Sequence, residues 1–530
     1  MEDSLRIIGE YGAFQTGIKI ILLSCAFLTN IYSNEIDIML KFPNFIILKN
    51  NSFNISNTTL YDYKYCDKNR YKIELDENTL LKNWNYNFKL FCENEYYLYY
   101  IYLSILIGNI FGVFFLSSIS DRIGRENVLK YSVIFSSFLH INFLFCLNKF
   151  HLLLINFFGS FNSFIFITSI ICITEYLPHQ SNGINIGIFN LVYHIYPIIL
   201  YYSLLIFPNW KIFFFCTSLS HIFLIKYTFN IFLESPHWLF SIGQKIKCLS
   251  ILDRIALYNG KLTSWNEYQN INIENANRFG RASNNFTKLF NFELDSGEIE
   301  QNFKGASIFD IFSFKSQKYI LILISILCFV YTIYSYGVLL IIKSRGNYYD
   351  FFIYENINEL ILIWIFDIII GIISGYFCDI LGRRPMIMFY GLFGSFGFFI
   401  YLENGSDIFL VISLICSQGI NTILLIYIPE MISTPIRNTL CGWFYLEYKI
   451  ISIILEMTYK HINKEFFNYL IVLAGFLTGF CVLYMKETLE ENIPDIIPEL
   501  KDKIETLENL NMRSFNSTEY PSFLIQINKL

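Results

Sequence analysis

Asp121-Arg122-Ile123-Gly124-Arg125 closes one long apolar run, and Asp379-Ile380-Leu381-Gly382-Arg383-Arg384 closes another 258 residues later. Two further pairs keep nearly the same offset. Glu175 and Glu430 end apolar runs 255 residues apart, and Glu234 and Glu487 do so at 253. Three chance matches this close in offset are not expected, so the chain is two related halves. A glycine between charged residues suits a tight turn between two membrane spans. The Asp lies at a helix end and the Arg residues project at the membrane surface, within reach of Glu175, Glu234, Glu430 and Glu487 at neighbouring ends.

The residues around these turns read as a gate: Asp121, Arg122, Arg125, Glu175, Glu234, Asp379, Arg383, Arg384, Glu430, Arg437 and Glu487. Ion pairs joining the halves on one side only favour a state open to the other. Semi-exposed pairs are each worth about 0–1 kcal/mol, which suits a latch that opens on every cycle. A second reading, that the Arg residues only hold topology, stays open for any single one.

Composition sets the solvent. The 530 residues are 54% hydrophobic, 19% aromatic and 16% charged, against about 25% charged in soluble domains. Apolar blocks of roughly 20 residues recur, the length that crosses about 30 Å of hydrocarbon. Twelve spans are expected, at 15–33, 96–119, 128–148, 151–174, 184–206, 211–233, 318–342, 357–379, 385–402, 408–429, 439–460 and 466–485. The expected fold is an all-α membrane protein of two six-helix halves. Its parts are an N-terminus (1–14), a first half (15–233) carrying an outer loop (34–95), a linker (234–316), a second half (317–486) and a tail (487–530). A net charge of −5 and this composition exclude a nucleic-acid binder and a disordered chain. The start, Met1-Glu2-Asp3-Ser4, lacks a basic n-region, so the first span is expected to stay in place.

Basic residues near span ends give the orientation. Eleven fall on the side of the termini, among them Arg122, Arg125, Lys130, Arg383, Arg384 and Arg437, against six on the other, such as Lys149, Lys211 and Lys464. Both termini and the 234–316 linker are therefore expected in the cytoplasm, with the 34–95 loop outside. That loop holds the Asn-x-Ser/Thr acceptors Asn50, Asn54 and Asn57, expected to carry glycans unless the cluster is chance in an Asn-rich chain. Of 12 cysteines, only Cys66 and Cys92 share an oxidising compartment, and one disulfide is expected there. No Cys/His spacing points to a metal, and no nucleotide-binding loop is present. Neither cofactor nor enzymatic activity is expected.

The two Asp–Gly–Arg segments resemble the loop motifs of the major facilitator superfamily. Glu234-Ser235-Pro236-His237-Trp238-Leu239 resembles the motif that follows span six in sugar porters and organic ion transporters. Gly9-Glu10-Tyr11-Gly12-Ala13-Phe14-Gln15, Phe91-Cys92-Glu93-Asn94, Tyr336-Gly337 and the run from Glu430 to Asn438 resemble the organic cation/anion/zwitterion transporter family. His237 stands where that pattern has Arg, and Asn156 stands near its Arg of span four. The resemblance implies a multi-pass protein, of the plasma membrane, that moves small organic ions by alternating access.

Ionisable residues in mid-span cost roughly 2.5–3.5 kcal/mol each on insertion scales and usually face a protein or water-filled interior. In span eleven, Tyr445, Lys449, Ser452 and Glu456 form one helical stripe, and Asp367, Gly371, Ser374 and Cys378 form another in span eight, with Trp364 a turn earlier. The expected substrate contacts are Lys449, Asp367, Tyr445, Tyr334, Tyr336, Trp364, Glu447 and His194. Tyr193, Tyr201 and Tyr331 are candidates for aromatic walls. A buried structural pair of Lys449 with Asp367 or Glu456 is the competing reading. By the resemblance, the position of Lys449 is acidic in cation carriers and basic in many anion carriers, which leans the substrate toward anions or zwitterions. Gly371 stands at the second cationic position of the anion carriers. Facilitated diffusion or exchange is expected ahead of the alternative, a proton relay through Asp367 or Glu447, with a counter-ion or exchange substrate as partner. The alternatives are a sugar or other neutral-solute porter and a transport-dead receptor or scaffold.

Overall fold

The computed structural model describes residues 2–9, 11–29, 36–40, 45–49, 52–58, 71–75, 82–94, 96–262, 266, 315–343, 357–459, 461–489, 491 and 494. Among the described residues twelve long helices form the bundle, numbered here among themselves. The first half has α1 (Ala13–Thr29), α2 (Tyr96–Ile123), α3 (Arg125–Leu144), α4 (Lys149–Tyr176), α5 (Asn182–Ile206) and α6 (Trp210–Ile231). The second half has α7 (Lys315–Lys343), α8 (Ile357–Leu381), α9 (Arg383–Asn404), α10 (Asp407–Met431), α11 (Arg437–Tyr459) and α12 (Lys464–Cys481). Every boundary lies within about four residues of the expected span, because a run long enough to cross lipid must satisfy its own backbone as helix.

Two departures have local causes. Helix α4 tightens into a 3₁₀ turn at Asn162–Phe164, where Asn162 donates to Ser132 O at 3.0 Å and Ser163 donates to Asn109 of α2. Polar side chains buried in a greasy helix take partners next door, and the backbone yields to bring them there. Secondly, the 34–95 segment is not all helix. Strands β1 (Phe45–Lys49), β2 (Ser52–Thr58) and β3 (Tyr71–Leu75) form an antiparallel sheet in the order β2-β1-β3. Asn54 and Asn57 lie in β2, while Asn50 is outside the described residues. Cys92 is disulfide-bonded, and Cys66, its expected partner, is also outside them.

Small residues bring the halves together. Gly183 and Gly187 of α5 face Gly375 and Gly371 of α8. A Cβ on Gly183 would lie 2.3 Å from the Gly375 carbonyl, and one on Gly187 would lie 2.7 Å from that of Gly371. Across the bundle, Gly442 of α11 meets Ser117 and Val113 of α2, with 2.8 Å from its Cβ position to Ser117 Oγ. In lipid, close backbone approach replaces hydrophobic burial as the source of helix association. Both crossings lie toward the same end of the bundle, the end that carries the Asp–Gly–Arg turns. It is called the latch end below.

The short helices Pro236–Ser241 and Lys245–Tyr258 pack at that end. There Asn259 donates to Ile8 O and to Gln15 Oε1 and accepts from Phe14 N. At the opposite end, Trp84 stacks on Phe143 of α3 and meets Trp210 of α6 edge-on.

Candidate functional site

The latch end is built twice over, once from each half. Asp121, in the last turn of α2, accepts from Thr439 N and Oγ1 at 2.7 Å each and from Asn438 N at 3.3 Å, so it caps α11 of the other half. Asp379, in the last turn of α8, accepts from Gly183 N and Ile184 N at 3.0 Å each, so it caps α5. A carboxylate at a helix N-terminus satisfies orphan N–H groups and meets the positive end of the dipole.

Each cap is flanked by an ion pair. Glu175 at the end of α4 takes Arg437 from the other half at 2.9 Å and Arg125 from its own at 3.4 Å. Glu430 at the end of α10 takes a two-pronged contact from Arg383, at 3.1 Å on both oxygens. Its partners from the first half are His179 Nε2 at 3.2 Å and Asn182 Nδ2 at 3.4 Å. Arg125 Nη2 also crosses the halves to Thr434 O at 2.8 Å.

Glu234 and Glu487 act differently from expectation. They accept main-chain N–H groups rather than pairing with guanidinium groups across the gate. Glu234 receives Arg125 N at 2.9 Å and Glu126 N at 3.2 Å, and Glu487 receives Arg383 N and Arg384 N at 3.0 Å each. Each therefore brackets the start of a helix in its own half. The turns beneath them need glycine: Gly124 has φ +108° and Gly382 φ +99°, and a Cβ there would meet Glu234 Oε2 at 2.1 Å or Glu487 Oε2 at 2.9 Å. Burial pushes the Glu234 carboxyl up to about 7, against the pull of Arg125 and of the N–H groups it accepts.

Three expectations about the gate are corrected. Arg125, Arg383 and Arg437 do not project at the surface; all three are fully buried, as are Asp121 and Glu175. The surface value of 0–1 kcal/mol does not apply, since removing one partner of a buried pair leaves the other uncompensated at about 3–5 kcal/mol. Arg122 is exposed and takes no part in the network described, because it sits about 100° round the helix from Asp121. Arg384 turns back into its own half, onto Val482 O at 3.2 Å and Leu483 O at 2.9 Å.

The sequence reading also missed Asn182, His179, Asn438 and Thr439. The first was legible: at the 255-residue offset of Glu175 and Glu430, Asn182 stands opposite Arg437. The second half's glutamate therefore meets an amide and an imidazole where the first half's meets a guanidinium. Tyrosines near the ends of α4 and α10 reach corresponding carbonyls from different positions along their helices, Tyr176 donating to Leu233 O and Tyr427 to Lys486 O.

A second cluster lies at mid-depth, where each contributing residue is near the centre of its helix. His194 of α5 faces Asp367 of α8, Nδ1 to Oδ2 at 3.6 Å, with both side chains buried. Beside His194, Tyr193 is 5.2 Å away between ring centroids, and Phe166 of α4 is 4.7 Å beyond that. Phe166 meets Tyr445 of α11 at 6.4 Å. Lys449 lies over the rings of Tyr445, at 5.4 Å, and Tyr448, at 6.0 Å. Tyr448 stacks at 6.3 Å on Tyr331 of α7, which lies within electrostatic reach of Asp367. These contacts run from one half to the other and back.

The remaining expected contacts sort by place. Tyr334 is a correction: it is wholly buried inside the second half, its hydroxyl on Ser413 O at 3.0 Å and its ring against Gly475. Trp364 packs with Tyr196 and Leu200 in the cluster at the end opposite the latch. Tyr336 donates to Glu456 at 2.8 Å, which ties α7 to α11. Glu447 faces α7 beside Ser325 and Cys328. The competing pair of Lys449 with Asp367 is not formed, since Asp367 turns to His194. Phe166 and Tyr448 were not foreseen; in a chain so rich in Phe and Tyr no sequence signal separates a wall residue from a lipid-facing one. Among the described residues no group of acidic, His and Cys side chains could hold a metal ion.

Comparison with known proteins agrees with this architecture. The family model described as Major Facilitator Superfamily matches residues 94–455. Among solved structures, the proton:xylose symporter XylE bound to 6-bromo-6-deoxy-D-glucose aligns with a TM-score of 0.57 and 13% identity, over 91% of this chain and 98% of that one. A double-tryptophan mutant of XylE gives 0.59 and 14%, over 91% and 98%. A partially occluded inward-open form of XylE from E. coli gives 0.51 and 13%, over 90% and 100%. No curated protein matches. Two six-helix halves, duplicated Asp–Gly–Arg turns that cap each other's helices, and a family model spanning most of the bundle lead to one conclusion: the chain belongs to the Major Facilitator Superfamily.

Proposed function

We infer that this protein is a secondary transporter of small organic ions, preferring anions or zwitterions, and works by alternating access. Lys449 carries the reading. It lies at mid-depth over two tyrosine rings, and among the described residues no carboxylate is within ion-pair distance of it. An ammonium held between aromatic faces suits a flat carboxylate, with the rings packing its organic body. Asp367 does not neutralise this charge, because it is engaged with His194.

The latch supports alternating access. It joins the halves at one end through contacts that re-form only if both halves return, and opening it wets all partners at once. The cost of any one buried pair is thereby offset by hydration of its neighbours. On the bias of basic residues the latch end is assigned to the cytoplasm with both termini, and the strand-bearing 34–95 segment to the outside of the plasma membrane.

Uptake by the purified full chain in proteoliposomes tests the reading, with hippurate, carnitine, tetraethylammonium and glucose as probes. Saturable uptake of hippurate or carnitine is expected. Uptake of glucose alone would select the second reading, a neutral-solute porter, which draws on likeness of fold to xylose symporters. Binding without any uptake would select a receptor. A mobility shift on deglycosylation, lost in the Asn50→Gln/Asn54→Gln/Asn57→Gln variant, checks the orientation.

A further inference from the structure

Tyr96, Tyr97 and Tyr100 open α2 at the end opposite the latch and pack on one another, with ring centroids 4.6 Å, 5.7 Å and 6.2 Å apart. Tyr96 and Tyr100 are exposed, at 49% and 50%. Lys149, the first residue of α4, holds its ammonium over the Tyr97 ring at 5.0 Å and makes no ion pair among the described residues. Aromatic faces and an uncompensated cation thus share one exposed patch. Neither the latch nor the mid-depth cluster uses any of these residues.

The helices beneath the patch run side by side and in the same direction, since α2 ends at the latch in Asp121 and α4 in Glu175. Gly108 and Gly112 bring them together: a Cβ on either would clash with the Phe157 or Phe161 carbonyl of α4. Each helix then shows an exposed apolar stripe, Leu103, Ile107 and Phe111 on α2 and Phe150, Leu154 and Phe158 on α4. Stripes of this kind on a membrane-spanning bundle lie against acyl chains. The tyrosines, nearer the helix ends, fall at headgroup depth, where an aromatic body with a polar tip settles.

We propose that this patch seats one phosphatidylcholine molecule from the adjoining leaflet. Its trimethylammonium rests on the rings of Tyr96 and Tyr100, its phosphate meets Lys149, and its acyl chains follow the two stripes. The inference is independent of the transport reading above.

The headgroup matches the patch charge for charge. A quaternary ammonium has no N–H to satisfy and spreads its charge over methyl groups, so ring faces alone hold it. Tyr97 is already taken by Lys149, which leaves the other two rings for the lipid. Lys149 itself stands at the positive end of the α4 dipole, where a cation is disfavoured and an anion is welcome. A phosphate there pairs with the ammonium and reverses that penalty. The short carbon bridge between phosphate and choline suits rings that adjoin Lys149 through Tyr97. Phosphatidylethanolamine keeps N–H groups that ring faces satisfy poorly, and phosphatidylglycerol has no cation for the rings.

Native mass spectrometry of the full chain, delipidated in detergent and titrated with dioleoyl phosphatidylcholine, phosphatidylethanolamine and phosphatidylglycerol, tests this. One phosphatidylcholine should be retained at concentrations where the other two are lost. Tyr96→Leu/Tyr100→Leu should weaken its binding by about five- to thirtyfold, the loss of two exposed cation–ring contacts. Tyr96→Phe/Tyr100→Phe keeps the rings and should keep the lipid. Lys149→Gln removes the phosphate partner and should weaken all three lipids alike. Equal retention of the three lipids by the wild type, or phosphatidylcholine retention unchanged in the leucine variant, overturns the proposal. Displacement of the lipid by free phosphocholine at the same concentration would assign the patch to a soluble ligand and overturn it too. Should the leucine variant not fold, the headgroup ranking of the wild type and the Lys149→Gln variant decide.

Discussion

Glu175 and Arg437 stand 262 residues apart in the chain, yet their side chains meet at 2.9 Å with neither exposed to solvent. Each belongs to a different half, so the pair measures whether the halves are closed at this end. Around it, Asp121 and Asp379 cap helices of opposite halves in mirrored fashion. The latch is thus a set of buried bonds that exist together or not at all.

Arg437→Gln should strand Glu175 in a dry site shared with Arg125. A loss of about 3–5 kcal/mol in the latched state is expected, read as a lower Tm in detergent and more open latch end. The double variant Glu175→Gln/Arg437→Gln should be less damaged than the sum of the singles, by a coupling of about 0.5–3 kcal/mol.

Gly375→Ala would place a Cβ 2.3 Å from the Gly183 carbonyl, so α8 and α5 must move apart. Cys378, fully buried beside this crossing, should become reactive to maleimide. The expected change is from negligible labelling to rapid labelling, measured in membranes without substrate.

Gly124→Ala and Gly382→Ala both force a side chain into positive φ, at a cost of about 1–2 kcal/mol. The first should be worse, because its Cβ would fall 2.1 Å from Glu234 whereas the second meets Glu487 at 2.9 Å. Thermal shift of the two variants against wild type checks the order.

Glu234 ionises less readily in the fold than in an open chain, its carboxyl raised to about 7 by burial. A raised acid favours the folded state while protonated. That contribution is whole below the ordinary pKa of about 4.5 and is lost as pH climbs toward 7. Tm should therefore fall between about pH 5 and pH 8, and Glu234→Gln should flatten that slope. An equally steep slope in the variant would assign it to other groups.

Lys449→Asp should reverse the charge that meets the substrate. Preference should shift from hippurate toward tetraethylammonium by a factor of ten or more, read as the ratio of initial uptake rates. Unchanged preference in correctly inserted protein would place Lys449 in the scaffold.

Much of the architecture followed from the sequence by itself. Twelve helices, their ends to within about four residues and the halving of the chain follow from hydropathy and from the offsets of Asp121, Glu175 and Glu234 to their repeats, because lipid allows an apolar run of this length only one economical backbone. The candidate roles of Lys449, Asp367 and His194 came from the expense of polar groups in mid-span. What only tertiary structure decided was pairing. That Asp367 turns to His194 and not to Lys449, that Tyr334 points into its own half, and that Arg437 is buried while Arg122 is exposed depend on which helices of opposite halves touch. A helical period names a face but not its neighbour, and contacts between the halves join residues about 170 to 320 positions apart, from His194–Asp367 to Asp121–Thr439.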